Sequence, residues 1–226
     1  MIFDKLLTKN FANISYSQCG EDLIINYIFH SLGNSHPSYI DIGAHHPFRF
    51  SNTAYFYNKK CRGINIEPDP SLIKSFLRSR PKDINLNFGV STSCGIMDFY
   101  IMSSSTLNTF SLEVAKSLER DHGFKIKSIE KIRVYTISNI IDHYNGGKFP
   151  DFLSIDVEGL DFDILKSIDY SSNPPTVICV ETISYSETGH GEKAHDIINY
   201  LQDQGYLLYA DTNVNTIFVK RALWER

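Results

Sequence analysis

Four apolar runs in this sequence each meet a carboxylate, and those carboxylates are where its chemistry is to be sought. Asp41 lies in Tyr39-Ile40-Asp41-Ile42, just before Gly43-Ala44, and Glu67 follows Ile64-Asn65-Ile66. Asp156 follows Phe152-Leu153-Ser154-Ile155, and Glu181 follows Val177-Ile178-Cys179-Val180. Short apolar runs bounded by turn residues read as buried strands of a parallel sheet. In such a sheet the carboxyl ends of the strands share one edge, where ligands bind. Four acids gathered there favour a ligand that is positively charged or rich in hydroxyls. Glu67 stands about two dozen residues past the first glycine, where a carboxylate can accept both hydroxyls of a ribose. Glu158, two residues beyond Asp156, can face the same crevice. A pyrophosphate needs donors and a helix start instead. His45-His46-Pro47 stands where a dinucleotide site wants two further glycines, which disfavours NAD.

The elements that position these acids alternate. A strand over 39–42 turns on Gly43 and Ala44, whose small side chains let the backbone approach a ligand. Ser51-Asn52-Thr53 then opens a helix over 54–60. A second strand over 62–68 is followed by a helix over 70–80, with Leu72, Ile73, Phe76 and Leu77 inward and Pro81 as its stop. The third strand spans 84–90, and Gly89-Val90-Ser91 at its end could flank a flat base. After a helix over 137–144 and a Gly146-Gly147 turn come the fourth strand, 151–156, and a helix with Asp161 and Asp163 in its first turn. Acids there stabilise the helix dipole and need no chemistry. The fifth strand, 176–181, precedes a helix over 194–204 and a closing hairpin of 205–210 with 216–220.

Two segments fall outside that alternation. Residues 1–37 form an N-terminal helical cap, with Leu23, Ile24, Tyr27, Ile28 and Leu32 on one helix face. Ser17, Gly20, Glu21 and Asp22 suit the start of that helix, or fold with Gln18 over the pocket to touch the amino acid end of a ligand. Residues 93–136 read as an insertion over the pocket, with strands at 96–101 and 131–137 around a charged helix over 112–122. Such connections carry selectivity on a fixed scaffold. Within it, Ser103-Ser104-Ser105-Thr106 is a hinge or a hydroxyl-lined wall.

The bulk properties set bounds. With 226 residues the chain holds one domain. A net charge of -4 with no basic stripe excludes a nucleic-acid phosphate tracker. Cys19, Cys61, Cys94 and Cys179 form no paired motif, and two lie inside apolar runs, which predicts buried free thiols. The first residues lack a signal-peptide pattern and no apolar run could span a bilayer, so a soluble, cytoplasmic protein is expected. The oligomeric state is not legible.

Taken together, Asp41-Ile42-Gly43-Ala44-His45-His46-Pro47, Ser51-Asn52-Thr53, Asn65-Ile66-Glu67-Pro68, Ser154-Ile155-Asp156-Val157-Glu158-Gly159 and Val180-Glu181 resemble the FkbM family of S-adenosylmethionine-dependent methyltransferases. The similarity runs from Tyr16 to about Val219 and looks closest to members associated with bacterial capsule and surface-polysaccharide loci. The resemblance implies a Rossmann-like α/β fold, the seven-stranded, mostly parallel, doubly wound class I methyltransferase sheet with a C-terminal antiparallel hairpin. It implies O-methylation of a hydroxyl, or a phosphate-type oxygen, on a sugar or polysaccharide precursor. It places the methionine end of S-adenosylmethionine beside Asp41, Gly43 and Ala44, the ribose on Glu67, the base near Gly89, Val90 and Ser91, and Asp156 next to the sulfonium. Gln18, His45, Asn52 and Pro68 complete the expected cofactor-binding set, although His45 and His46 depart from the wider superfamily's D-x-G-x-G-x-G loop.

Two routes to deprotonating the acceptor follow. Glu158, His190 or His195 acts as general base, or Asp156 and Glu181 hold a divalent cation that lowers the hydroxyl's pKa. A third ligand would be Glu158 or a residue in 182–190. The rivals are an NAD(P)-dependent oxidoreductase and a non-catalytic nucleotide-binding module. Tyr55-x-x-x-Lys59 mimics a dehydrogenase motif, but between the first two strands rather than after the fifth.

Overall fold

The computed structural model describes residues 12–185 and 191–226. Its centre is a seven-stranded sheet in the order β3-β2-β1-β7-β8-β10-β9. The first three strands are β1 (Tyr39–Ile42), β2 (Gly63–Ile66) and β3 (Ile84–Leu86). The other side holds β7 (Phe152–Ile155), β8 (Val177–Glu181), β9 (Tyr206–Asp211) and β10 (Asn215–Lys220). From β3 to β8 all pairings are parallel, and β10 runs antiparallel to both β8 and β9. The chain winds outward from β1 to β3, then returns to β7 on the other flank. The β1–β7 boundary is therefore the topological switch point, where a crevice opens beyond the strand ends. Register sets the tips level: Asp41 stands opposite Asn65 on one side and Ser154 on the other, and Ser154 opposite Cys179.

The strands are apolar on both faces because both are covered. Ile40, Ile42, Ile64, Ile66, Leu153, Ile155, Ile178 and Val180 pack on one side with α5 (Ile137–Asn145), α6 (Asp161–Lys166) and α7 (His195–Asp203). Tyr39, Phe152, Val177, Cys179, Ile217 and Val219 pack on the other with α1 (Glu21–Ser31) and α2 (Ala54–Asn58). Strand alternation puts Asp41 on the Tyr39 face, facing α2.

The third strand breaks where the sequence suggested continuity. Asn87 donates through Nδ2 to the carbonyls of Glu67 and Pro68, at 2.9 and 3.0 Å, turning the chain away from the sheet. The next strand, β4 (Gly89–Val90), belongs to a separate three-stranded sheet in the order β4-β6-β5. β5 (Gly95–Met102) and β6 (Ile126–Tyr135) flank α4 (Leu112–His122), so the insertion is a β-ribbon with a helix. Helix α3 (Ile73–Ser79) buries Ile73 and Phe76, whereas Leu77 is 55% exposed. Helix α1 buries Ile25, Ile28 and Phe29 and exposes Tyr27, one position away from the expected stripe. All four cysteines are free, but only Cys61 and Cys179 are buried. No helix among the described residues is long and apolar enough to cross a membrane. The chain closes with α8 (Arg221–Trp224).

Candidate functional site

A cleft of about 250 Å³ opens at the switch point, lined by the tips of β1, β2, β7 and β8 and roofed by the insertion. Asp41, Glu67, Asp156, Glu158 and Glu181 all face it, as do Gln18, Gly43, Ala44, His45, Asn52, Pro68, Gly89 and Val90. The expected cofactor-binding residues thus come together, with one exception. Ser91 lies beyond the lining, where its N–H donates to the Tyr135 carbonyl and continues the second sheet.

Gly43 shows how the site is held. Its φ is +77°, and a Cβ there would lie 1.7 Å from the Asp156 carbonyl oxygen. The missing side chain therefore makes room for the neighbouring loop. That loop is pinned at three further points. Asp156 N–H donates to the Ile42 carbonyl at 3.0 Å, and the Asp161 carboxylate accepts from the N–H of Val157 and Gly159. Thr109 Oγ1, from the insertion, donates to the Glu158 carbonyl at 2.7 Å, and Glu158 itself has φ +52°. Asp161 is thus a buried loop holder as well as a first-turn acid, whereas Asp163 pairs with Lys166 at the surface.

Glu67 is 4% exposed. Its Oε2 accepts from the His45 N–H and its Oε1 from the Asp69 N–H, each at 2.8 Å. Each oxygen keeps a second acceptor position. Burial pushes its pKa up to about 7 against those two N–H donors. His45, at φ +51°, also places Nε2 3.0 Å from Ser105 Oγ, and Asn108 Nδ2 reaches Asp69 Oδ2 at 3.2 Å. The turn at Ser105–Leu107 is therefore tied over the cleft, with Ser105 and Thr106 in the lining. Part of the serine-rich stretch, Ser105 and Thr106, thus stands in the wall of the cleft.

Asp156, Glu158 and Glu181 each bring one oxygen into a group whose members lie within 4.8 Å of one another. Asp156 is open to the cleft yet surrounded by protein, so enclosure acts on its carboxylate although solvent reaches it. All three protonate at higher pH than ordinary carboxylates. Enclosure is the first cause; the second is Asp161 for Asp156, and Asp156 for both glutamates. Such a trio takes up a positive group readily: a proton, a cationic ligand or a hard cation.

The two histidines are not part of this group. His195 opens α7, exposed and outside the lining. The reading of His190 lies outside the described residues. At the N-terminal side, Glu21 and Asp22 are the acids of the first turn of α1, as expected, and both are fully buried. Asp22 gathers Ser15, Tyr16 and Ser17, while Glu21 accepts from Thr212 and Asn215. This folds Gln18 into the cleft beside Asn215. Sequence reasoning missed Phe50, Phe99, Leu107, Asn108, Phe110 and Tyr185 in the lining. The placement of the insertion pointed to Phe99, Leu107, Asn108 and Phe110; nothing singled out Phe50 or Tyr185, since an isolated aromatic has no periodic signal.

A profile of the Methyltransferase FkbM domain matches residues 41–208. The chain belongs to the FkbM methyltransferase family. It is an S-adenosylmethionine-dependent methyltransferase. No curated protein matches the sequence. Solved structures similar to the FkbM domain include a TehB-like SAM-dependent methyltransferase from Corynebacterium glutamicum, at 12% identity and TM-score 0.44, covering 97% of this chain and 95% of that one. Another, provisionally described as a caffeoyl-CoA O-methyltransferase from Staphylococcus aureus, has 12% identity and TM-score 0.41, covering 97% and 90%. The donor set of the FkbM cleft suits this cofactor. Glu67 retains acceptor capacity, and Asp41 and Asp156 add negative charge to the same lining.

Proposed function

We propose that the protein methylates a hydroxyl on an uncharged part of a sugar or surface-polysaccharide precursor. The observation that carries this reading is the cleft's charge. Five carboxylates line it, and no Lys or Arg is among the described lining residues. A phosphate-type oxygen would meet those acids with nothing to neutralise it, so a hydroxyl is favoured over the phosphate alternative. Phe50, Phe99, Phe110 and Tyr185 supply flat apolar surface of the kind that sugar rings and bases pack against.

When bound, S-adenosylmethionine supplies an electrophilic methyl group. The chain's own work is to hold donor and acceptor in line and to receive a proton. Glu67 would hold the ribose hydroxyls and Asp41 the amino acid end, with Gly89, Val90 and Pro68 beside the base. Glu158 is the favoured general base: its raised affinity for protons suits removal of one from a hydroxyl. Glu158 would accept the hydroxyl proton of an acceptor held in line with that methyl group. A second reading has one observation in its favour. Three oxygen ligands within 4.8 Å suit a divalent cation held by Asp156, Glu158 and Glu181, which would acidify the hydroxyl instead.

The test is methyl transfer from radiolabelled S-adenosylmethionine to neutral sugars and to their phosphorylated counterparts. Transfer to neutral hydroxyls is expected. Preferential labelling of a phosphate oxygen would overturn the reading.

A further inference from the structure

Beneath the cleft lies a buried polar assembly that the chemistry above leaves unused. Arg80 is 0% exposed, surrounded by the rings of Tyr39, Tyr57 and Phe76 at 5.2 to 5.5 Å. It pairs with Asp83 through Nε and Nη2, both at 2.9 Å, and Nη2 also donates to the Tyr39 hydroxyl at 3.0 Å. Asp83 accepts further from Tyr39, from the Gly63 N–H and from Asn65 Nδ2. That side of the guanidinium is therefore complete.

The remaining nitrogen points the other way. Nη1 donates to Thr53 Oγ1 at 3.0 Å, with longer contacts of 3.4 Å to Ser51 Oγ and the Pro47 carbonyl. Thr53, also 0% exposed, donates to Asp41 Oδ2 at 2.6 Å. A hydroxyl has one proton and accepts through its lone pairs, so Thr53 can accept from Arg80 while its proton goes to Asp41, the shortest of its contacts. On the other side Asp41 is bonded by Ser154, its cross-strand neighbour, which in turn accepts from Asn52. A buried carboxylate is costly unless hydrogen bonds offset its desolvation: burial pushes Asp41 toward its protonated form, and the bonds from Thr53 and Ser154, with Arg80 behind Thr53, work against that push.

We propose that Thr53, backed by Arg80, is a positioning residue that keeps Asp41 anionic and aimed at the cationic amino acid end of the methyl donor. This rests on the cofactor reading of the cleft. The network is thus more than a buried staple: one end stabilises the sheet edge through Asp83, and the other holds the acid that meets the ligand.

Two probes separate those ends. S-adenosylhomocysteine carries the amino acid portion, and 5′-methylthioadenosine lacks it. By calorimetry, Thr53→Val is expected to weaken S-adenosylhomocysteine about tenfold, the scale of one charge-assisted hydrogen bond, with methylthioadenosine affinity unchanged. Thr53→Ser keeps the hydroxyl and is expected to restore binding. Tyr39→Phe, on the Asp83 side, is expected to lower Tm without changing either affinity. Should Thr53→Val fail to fold, Asp41→Asn reports the same ligand split. Equal loss of both ligands, or no loss of S-adenosylhomocysteine, overturns the proposal. Failure of the unmodified protein to bind S-adenosylhomocysteine would instead sink the cofactor reading itself.

Discussion

Adding one methyl group at position 43 separates a site built by loop packing from one built by ligand clearance. In Gly43→Ala the new Cβ would begin 1.7 Å from the Asp156 carbonyl oxygen and 2.8 Å from its carbon. Ordinary contact lies beyond about 3 Å, so the β7–α6 loop must retreat by more than about 1 Å. An alanine at φ +77° adds about 1–2 kcal/mol of backbone strain, and overpacking of this kind adds about 1–3 kcal/mol. The sum, about 2–5 kcal/mol, corresponds to a fall in Tm of about 4–20 °C for a chain of this size. The retreat carries Asp156 with it. A displacement of about 1 Å at the reacting groups costs about a hundredfold in rate. Differential scanning calorimetry and kcat at saturating S-adenosylmethionine measure the two effects. Both a lowered Tm and a kcat reduced far more than the affinity at Glu67 are expected. A variant with unaltered Tm and kcat would refute the claim that this glycine positions Asp156.

Glu67→Gln tests the ribose contact while retaining side-chain shape. Losing one charge-assisted hydrogen bond is worth about 1.5–3 kcal/mol, so S-adenosylhomocysteine should bind about 10- to 150-fold more weakly in calorimetry. The glutamine amide also faces one of the two backbone N–H groups of His45 and Asp69, so Tm should fall too, and Glu67→Ala would lose more. The pH dependence of stability has a definite sign. Asp156, Glu158, Glu181 and Glu67 have folded-state pKa values above their unfolded ones, so the folded protein binds more protons in that interval. Stability of the ligand-free protein should therefore fall as pH rises from about 4.5 through about 7, to which burial raises Glu67 and Asp156. Glu181→Gln should flatten the Tm-against-pH curve across that window. Exhaustive chelation should leave methyl transfer intact if Glu158 is the base; loss of activity restored by added Mg²⁺ would assign the carboxylate trio to a cation.

Much of this site was legible because parallel strands leave a local signature. Apolar runs ending in Glu67, Asp156 and Glu181, and the run that carries Asp41 one residue before its end, gave both the strands and the shared edge, since burial on both faces leaves few polar residues within the strands. What was not legible depended on contacts distant in sequence. Asn87 diverts the third strand by bonding carbonyls 20 and 19 residues upstream, and no local propensity records that. Arg80 read as the last residue of a helix, outside its inward set; its burial follows from Asp83 and Tyr39 offering partners together. Glu21 and Asp22 satisfied a helix-start rule, while their carboxylates in fact gather Thr212, Asn215 and the segment before the helix. His195 drew attention as a titratable type near the β8 tip in sequence, but the helix it opens carries it to the surface.

The central claim is that one nucleoside spans the strand tips, with its ribose on Glu67 and its charged end toward Asp41 and Asp156. A crystal structure with S-adenosylhomocysteine tests this most directly. The account predicts ribose hydroxyls within hydrogen-bond distance of the Glu67 oxygens and the amino group near Asp41. A nucleoside bound elsewhere, with Glu67 still contacting only the His45 and Asp69 N–H groups, would contradict it.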